Sequence, residues 1–269
     1  YVECLGDGGI TVSCLQSLFK TLQTHSDLTT ALLLTNDQVH AFLLKDDSGT
    51  YYVIRSGFTS GYSGEGPKGL AKALTLLSKH RIETEEILIP TKLLNRLNNS
   101  SLNDQDIDFI YQQKIIRPIR LHDYIYPFEN EVTQTTKSKC YYPLELPYSI
   151  IDDRIFDLAL LFKQDPDSAL TKAYKRLEDI IRTRTGIHEH STKLFAQAFQ
   201  GENALLTWDV PDSAEIKGRV NLFTGAYMAF RNARAHREKD ENLIHQYREF
   251  LLINELYLLE AEAITIESK

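Results

Sequence analysis

Methionine and tryptophan occur once each in this chain and cysteine three times. Basic residues are outnumbered 37 to 30 by acidic ones, and no uninterrupted apolar run is long enough to span a bilayer. Each scarcity excludes something. Cys4, Cys14 and Cys140 form an odd, widely spaced set, which argues against a disulfide framework and for reduced thiols in a cytoplasmic protein. The apolar stretches 31–34 and 250–259 are short or interrupted by polar residues, so no membrane span and no membrane partner are expected. A formal net charge of −7 rules out coating nucleic acid by bulk electrostatics, so any RNA contact must be local. His188-Glu189-His190 lacks cysteines or carboxylates at zinc-site spacing and reads as loop, so neither a metal nor a cofactor is expected. No internal repeat is visible. Because Tyr1 is not an initiator methionine, residues ahead of it are expected to have been removed.

What is present supports an α+β protein, with 42% hydrophobic residues and enough length for two modest packed domains. Residues 1–125 read as a small α/β domain. A helix over 12–25 is followed by two β-like runs, 39–45 and 50–55, joined by Asp46-Asp47-Ser48-Gly49, which is a hairpin signal. A helix over 67–80 and a strand at 87–89 come next. Residues 126–148, with Pro127, Pro143, Pro147 and a polar run at 133–139, read as a linker or arm. Residues 149–269 read as an all-α bundle. Its helices are expected over 151–162, from a cap at Asp167 or Ser168 to Gly186, then over 191–199, 214–236 and 241–263, with a loop or small hairpin at 203–210. Trp208 and the tyrosines near Tyr141 can stack on bases or fill core and linker.

The helix over 214–236 carries the chemistry. Ile216, Val220, Phe223, Tyr227 and Phe230 recur at steps of four and three, which makes one apolar stripe. At about 100° per residue, Asn232 and His236 project away from that stripe and Arg231 borders it. Arg231 and His236 stand with four residues between them: a permanent cation able to clamp a phosphate, and a proton carrier near neutral pH. Arg234 falls on the stripe itself, so it is expected to find an acidic partner or to mark where the helix frays. The pairs Arg182/His188 and Arg184/His190 have similar form and make the bare spacing weak. In the competing reading, Arg231, Arg234, His236 and Arg237 only neutralise the negative end of the helix.

Several blocks in order extend this pattern: 173–178 (AYKRLE), 182–186 (RTRTG), 194–199 (LFAQAF), Gly218, 222–226 (LFTGA) and 231–236 (RNARAH). From about Leu170 onward they resemble the Ymh-like branch of the HEPN superfamily, helical bundles with an Arg-x4-6-His signature. The family pattern has proline where this chain has Ala233, and with alanine the helix is expected to run further. The resemblance implies a metal-independent endoribonuclease of a prokaryotic toxin, abortive-infection or phage-defence system. It also implies a homodimer or higher homo-oligomer that carries the signature at its two-fold interface. By position, the implied catalytic residues are Arg231, Asn232 and His236, with Arg234 and Arg237 as further RNA-phosphate contacts. One imidazole has no second proton carrier nearby in sequence, and a two-fold mate would supply it. The first domain is then expected to act as a sensor or regulatory domain. The alternative is a non-catalytic scaffold for dimerisation or nucleic-acid binding, serving a regulatory or effector protein partner.

The first half also contains a glycine-rich loop at 57–69 that leads into a helix. Gly64, Gly66, Lys68 and Gly69 form a candidate ligand loop of anion-cradle type. Gly64, Gly66 and Gly69 match dinucleotide spacing. The flanking strands read as antiparallel, Lys68 is not followed by Ser or Thr, and Glu65 would repel an anion, so a tight structural turn or a partner-docking loop stays open.

Overall fold

Runs of largely apolar residues in the first half build a mixed sheet covered on both faces that, among the described residues, has five strands in the order β1-β4-β3-β2-β5. The computed structural model describes residues 1–132, 139–232, 234 and 242–266, and the chain divides into two units, Tyr1–Pro143 and Leu144–Lys269. The protein is α+β.

In the first unit the elements run β1 (Val2–Leu5), α1 (Thr11–Thr24), β2 (Thr30–Asn36), β3 (Val39–Lys45), β4 (Tyr51–Thr59), α2 (Glu65–Lys79) and β5 (Glu83–Leu88). The short helices α3 (Thr91–Asn98), α4 (Asp104–Tyr111), α5 (Leu121–Ile125) and α6 (Glu129–Val132) follow. The β3–β4 hairpin forms as its turn signal predicts, with a register shift between His40 and Phe42. β1 and β2 were not expected as strands. The run at 31–34 is apolar on consecutive residues because β2 is buried on both faces, a pattern that periodicity alone does not separate from a helix. One face, with Leu33, Phe42 and Ile54, packs on Leu18 and Phe19 of α1 and Leu70 and Leu77 of α2. The other, with Leu34, Leu43 and Ile87, packs on Leu93, Leu97 and Ile110. β5 starts four residues earlier than its apolar residues indicate, and its Glu86 is buried through partners described below.

The segment read as linker or arm contributes to the first unit up to Pro143. Tyr141 and Tyr142 lie 5.2 and 4.6 Å from the Phe19 ring, and Lys72 Nζ sits 5.6 Å over Tyr141. These tyrosines pack against protein, which is the structural use open to them.

The second unit contains α7 (Phe156–Phe162), α8 (Pro166–Thr185), α9 (Ser191–Phe199), α10 (Ser213–Ala226) and α11 (Leu243–Glu262). The short strands β6 (Leu206–Thr207) and β7 (Ile264–Thr265) pair antiparallel. Phe162, Tyr174, Phe195, Phe223, Tyr227, Phe250 and Tyr257 fill its core. α8 begins with Pro166 and is capped by Asp165, whose side chain accepts from Ser168 N at 3.1 Å; it ends at Gly186 with φ 70°. The cap therefore sits at Asp165 and not at Asp167 or Ser168, because Pro166 takes the first helical position and leaves both of those inside the first turn. Trp208 is buried, stacks on Phe199 at 4.7 Å and donates to the Leu259 carbonyl at 2.7 Å, which makes it a core residue and not a base platform.

Candidate functional site

Where one long α-helix was expected, α10 stops at Ala226 and the chain widens into a π-helical segment, Tyr227–Arg231. Tyr227 anchors that segment: it is fully buried and donates its hydroxyl to the Tyr174 carbonyl at 2.7 Å. Wide turns of this kind re-aim the residues that follow and recur at functional sites. Here the segment delivers Arg231 to α8, where its Nε lies 3.6 Å from Glu178 Oε1.

Glu178 is the centre of the site and was not singled out by sequence reasoning. Its side chain is 4% exposed, while that of Arg231 is 33% exposed. Arg182 Nη1 donates to Glu178 Oε2 at 3.2 Å, Arg182 Nη2 donates to Asp179 at 2.5 Å, and Arg182 Nη1 also lies 2.9 Å from His190 Nδ1. Two guanidiniums and an imidazole thus converge on one buried carboxylate. Among the described residues Glu178 Oε1 has no hydrogen-bond partner, so its charge is held by the nearby guanidinium. The signal that could have revealed Glu178 was an acidic residue on the apolar stripe of α8, four residues before Arg182. The decoy pairs resolve separately. Arg182 and His190 join the Arg231 cluster, whereas Arg184 donates to Glu260 Oε1 and to the carbonyls of Glu260 and Ala263.

Asn232 is half-buried, and both Asn232 and Arg234 have helical geometry. Arg234 found the acidic partners that its place on the apolar stripe required. It clamps Glu249 with Nε at 2.8 Å and Nη2 at 2.6 Å, and its Nη1 meets Asp167 at 2.5 Å. All three nitrogens are engaged and the side chain is 12% exposed, so Arg234 ties α8 to α11 and is not available to an RNA phosphate. Ala233, His236 and Arg237 lie outside the described residues.

The glycine-rich loop is shaped by packing. A Cβ on Gly66 would stand 2.0 Å from Thr59 Oγ1, and one on Gly69 would stand 2.1 Å from Thr11 Cγ2, so both glycines let α2 approach β4 and α1. Lys68 pairs with Glu131 at 3.2 Å. Gly64 has extended geometry that any residue can adopt and lies against the Tyr62 ring. The candidate anion cradle is therefore a close-packed turn whose one cation is taken. Among the described residues no group of three or more His, Cys, Asp or Glu is placed to hold a metal ion.

Residues 158–258 match a family model described as "Protein of unknown function (Hypoth_ymh)". That stretch holds Glu178, Arg182, His190, Arg231, Asn232 and His236. No curated protein matches the chain. A chain of respiratory complex I from Thermus thermophilus is 15% identical, with alignment over 45% of this chain and 98% of its own at a TM-score of 0.36. A likeness of that degree bears on neither fold nor function. No helix among the described residues is long and apolar enough to cross a membrane.

Proposed function

We propose that the second unit is a HEPN-type, metal-independent endoribonuclease that works as a homodimer, with Arg231 on the scissile phosphate and His236 moving the protons. The observation that carries this reading is the gathering of Arg231, Arg182 and His190 at Glu178, within the stretch that matches the Ymh family. A guanidinium kept one-third exposed, with a buried carboxylate at its Nε edge, is oriented yet reachable, as phosphate binding requires. Arg231, engaged at its Nε edge only, contributes local positive charge on an otherwise acidic chain, while Arg182 is held by Glu178 and Asp179 and orients the cluster.

In the reaction, His236 of one protomer takes the proton of the ribose 2′-hydroxyl as that oxygen bonds to phosphorus. The phosphorus–O5′ bond breaks, and the partner's His236 protonates the departing 5′-oxygen. Arg231 stabilises the charge that builds on the phosphate oxygens, and Asn232 is its polar companion. The products are a 2′,3′-cyclic phosphate and a 5′-hydroxyl, and DNA, which lacks the nucleophile, is spared. In a cell, such an activity suits a toxin or an anti-phage defence protein whose first unit decides when cleavage starts.

Purified protein is expected to cleave RNA in EDTA and to leave cyclic phosphate ends. His236→Ala or Arg231→Ala should lower the rate at least about 100-fold without changing oligomeric state. If both variants cleave as wild type does, these roles are wrong. Tight RNA or protein binding with no products would instead identify a non-catalytic scaffold.

A further inference from the structure

Between the β2–β3 turn, the end of β4 and helices α2 and α5, the first unit holds a cavity of about 690 Å³, within the size range of small-molecule sites. Leu70, Pro127 and Phe128 give it an apolar side, and Ser60 lies on its polar side with Gln38, Arg120 and Tyr124. It reaches the surface at Gly61 and Tyr62, which are exposed.

Behind Ser60 runs a chain of hydrogen bonds whose directions can be assigned. Glu86 is buried at 3% exposure and ionised. Burial alone would raise its pKa, but hydrogen bonds from Arg120, Thr35 and Tyr124 outweigh that and hold it below the usual carboxylate range. A carboxylate only accepts, so Thr35 Oγ1 at 2.6 Å, Tyr124 Oη at 2.8 Å and the Arg120 Nε and Nη2 at 2.9 and 3.0 Å all donate to it. Having spent its one proton on Glu86, Thr35 accepts from His40 Nδ1 at 2.9 Å. His40 is fully buried and burial lowers its pKa to about 4, so the ring is neutral, with its proton on Nδ1. Nε2 is then a bare base, and Ser60 Oγ, 2.8 Å away, donates to it. The Tyr124 ring meets the imidazole edge to face at 5.2 Å and helps to fix its plane.

A hydroxyl bonded to the free nitrogen of an imidazole, whose other nitrogen is turned toward a buried carboxylate, is the arrangement that activates a serine nucleophile. Thr35 stands between imidazole and carboxylate, so Glu86 stabilises an imidazolium at one remove. Donors for an oxyanion are also at hand. Gln38 Nε2 lies 2.6 Å from where a Cβ on Gly61 would stand. Among the described residues neither that amide nor the backbone N–H of Gly61, directly after Ser60, has a hydrogen-bond partner.

We propose that Ser60 is the nucleophile of an esterase site in this cavity, with His40 as its general base and Thr35 and Glu86 as positioning residues. The substrate is a carboxylic ester whose acyl group lies against Leu70 and Phe128. Ser60 Oγ bonds to the carbonyl carbon while His40 Nε2 takes the hydroxyl proton. The bond from that carbon to the alcohol oxygen breaks, and His40 gives the proton to the departing alcohol. Water then attacks the acyl-serine in the same way, which releases the carboxylic acid and restores Ser60. A buried imidazole is a weak base, which suits the electrophilic carbonyl of an ester better than that of an amide. The site is independent of the ribonuclease reading, because it lies wholly within Tyr1–Pro143 and its test involves no RNA.

The full chain is treated with an alkyl fluorophosphonate and mapped by mass spectrometry, and is assayed with p-nitrophenyl acetate and butyrate. An adduct on Ser60 and turnover of at least one ester are expected. Ser60→Ala, at a half-buried position, should abolish the adduct and lower turnover at least about 100-fold with thermal melting unchanged. Thr35→Val should lower kcat about tenfold with KM unchanged, and Thr35→Ser, which keeps the hydroxyl, should restore it. The proposal is overturned if no adduct forms on Ser60, if neither ester is turned over, or if Ser60→Ala turns over ester as wild type does. Equal kcat for Thr35→Val and wild type would overturn the positioning role of the relay.

Discussion

Arg231 and Arg234 are three residues apart and chemically identical, yet they are committed to opposite tasks. Arg234 is enclosed, with a bidentate clamp on Glu249 and a third contact on Asp167, while Arg231 meets Glu178 at one edge only. Removing one partner of a buried ion pair leaves the others charged and dry, so Arg234→Ala should cost about 3–5 kcal/mol. Arg231→Ala, at a one-third-exposed site whose buried partner Glu178 keeps Arg182 on its other oxygen, should cost less, about 1–2 kcal/mol. Urea titrations of the two variants, followed by Trp208 fluorescence, compare them directly; equal losses would contradict the division of labour. His40 supports a second expectation. Its pKa is depressed to about 4 by burial, with Glu86 raising it and Arg120 lowering it by smaller amounts. Above its unfolded pKa of about 6.5 the neutral ring suits the native state, and between there and pH 4 the unfolded chain binds the proton more readily. Stability of the first unit should therefore fall by about 3 kcal/mol as pH drops through that window. Hydrogen exchange of the β3 amides measures this, and His40→Asn should flatten the dependence.

Helix α2 shows why a glycine-rich stretch need not be a ligand loop. Thr11 Oγ1 donates to the Gly57 carbonyl at 2.7 Å, which pins its rotamer with Cγ2 pointing at Gly69. A Cβ at Gly69 would collide with a methyl that cannot turn away, so Gly69→Ala is expected to destabilise by about 1–3 kcal/mol. Thr11→Ser keeps the hydroxyl and removes the methyl, and combining it with Gly69→Ala should restore most of that loss in a double-mutant cycle. Additive losses would show that the crowding lies elsewhere. In the second unit, the change from α to π geometry at Tyr227 decides where Arg231 points. An ideal helix through 214–236 gives the stripe correctly as far as Tyr227; Phe230, expected on it, is exposed because the wider turn rotates the residues that follow, and the same turn sets the reach of Arg231 to Glu178.

Across the whole chain, acidic residues exceed basic ones by seven, so under the proposed ribonuclease reading RNA affinity would come from a few placed cations. If Arg231 of each of two protomers neutralises one phosphate, two contacts give a slope of about −1.4 for log affinity against log salt on single-stranded RNA. Filter binding of RNA to the His236→Ala protein at several salt concentrations tests this. A slope near zero or beyond about −4 would rule out a compact site built on two arginines.

Composition and periodicity alone determined the α+β class, the β3–β4 hairpin, α9 with its bounds, the stop at Gly186 and the need of Arg234 for an acidic partner. These depend on local spacing and on the cost of burying charge, which any sequence window displays. Only the tertiary structure decided that β1 and β2 join the sheet, that Glu178 gathers Arg182, His190 and Arg231, and that Ser60, His40, Thr35 and Glu86 form one relay. Those partners lie far apart in sequence, and the short-range forces between them act only once strands and helices from distant segments have packed together.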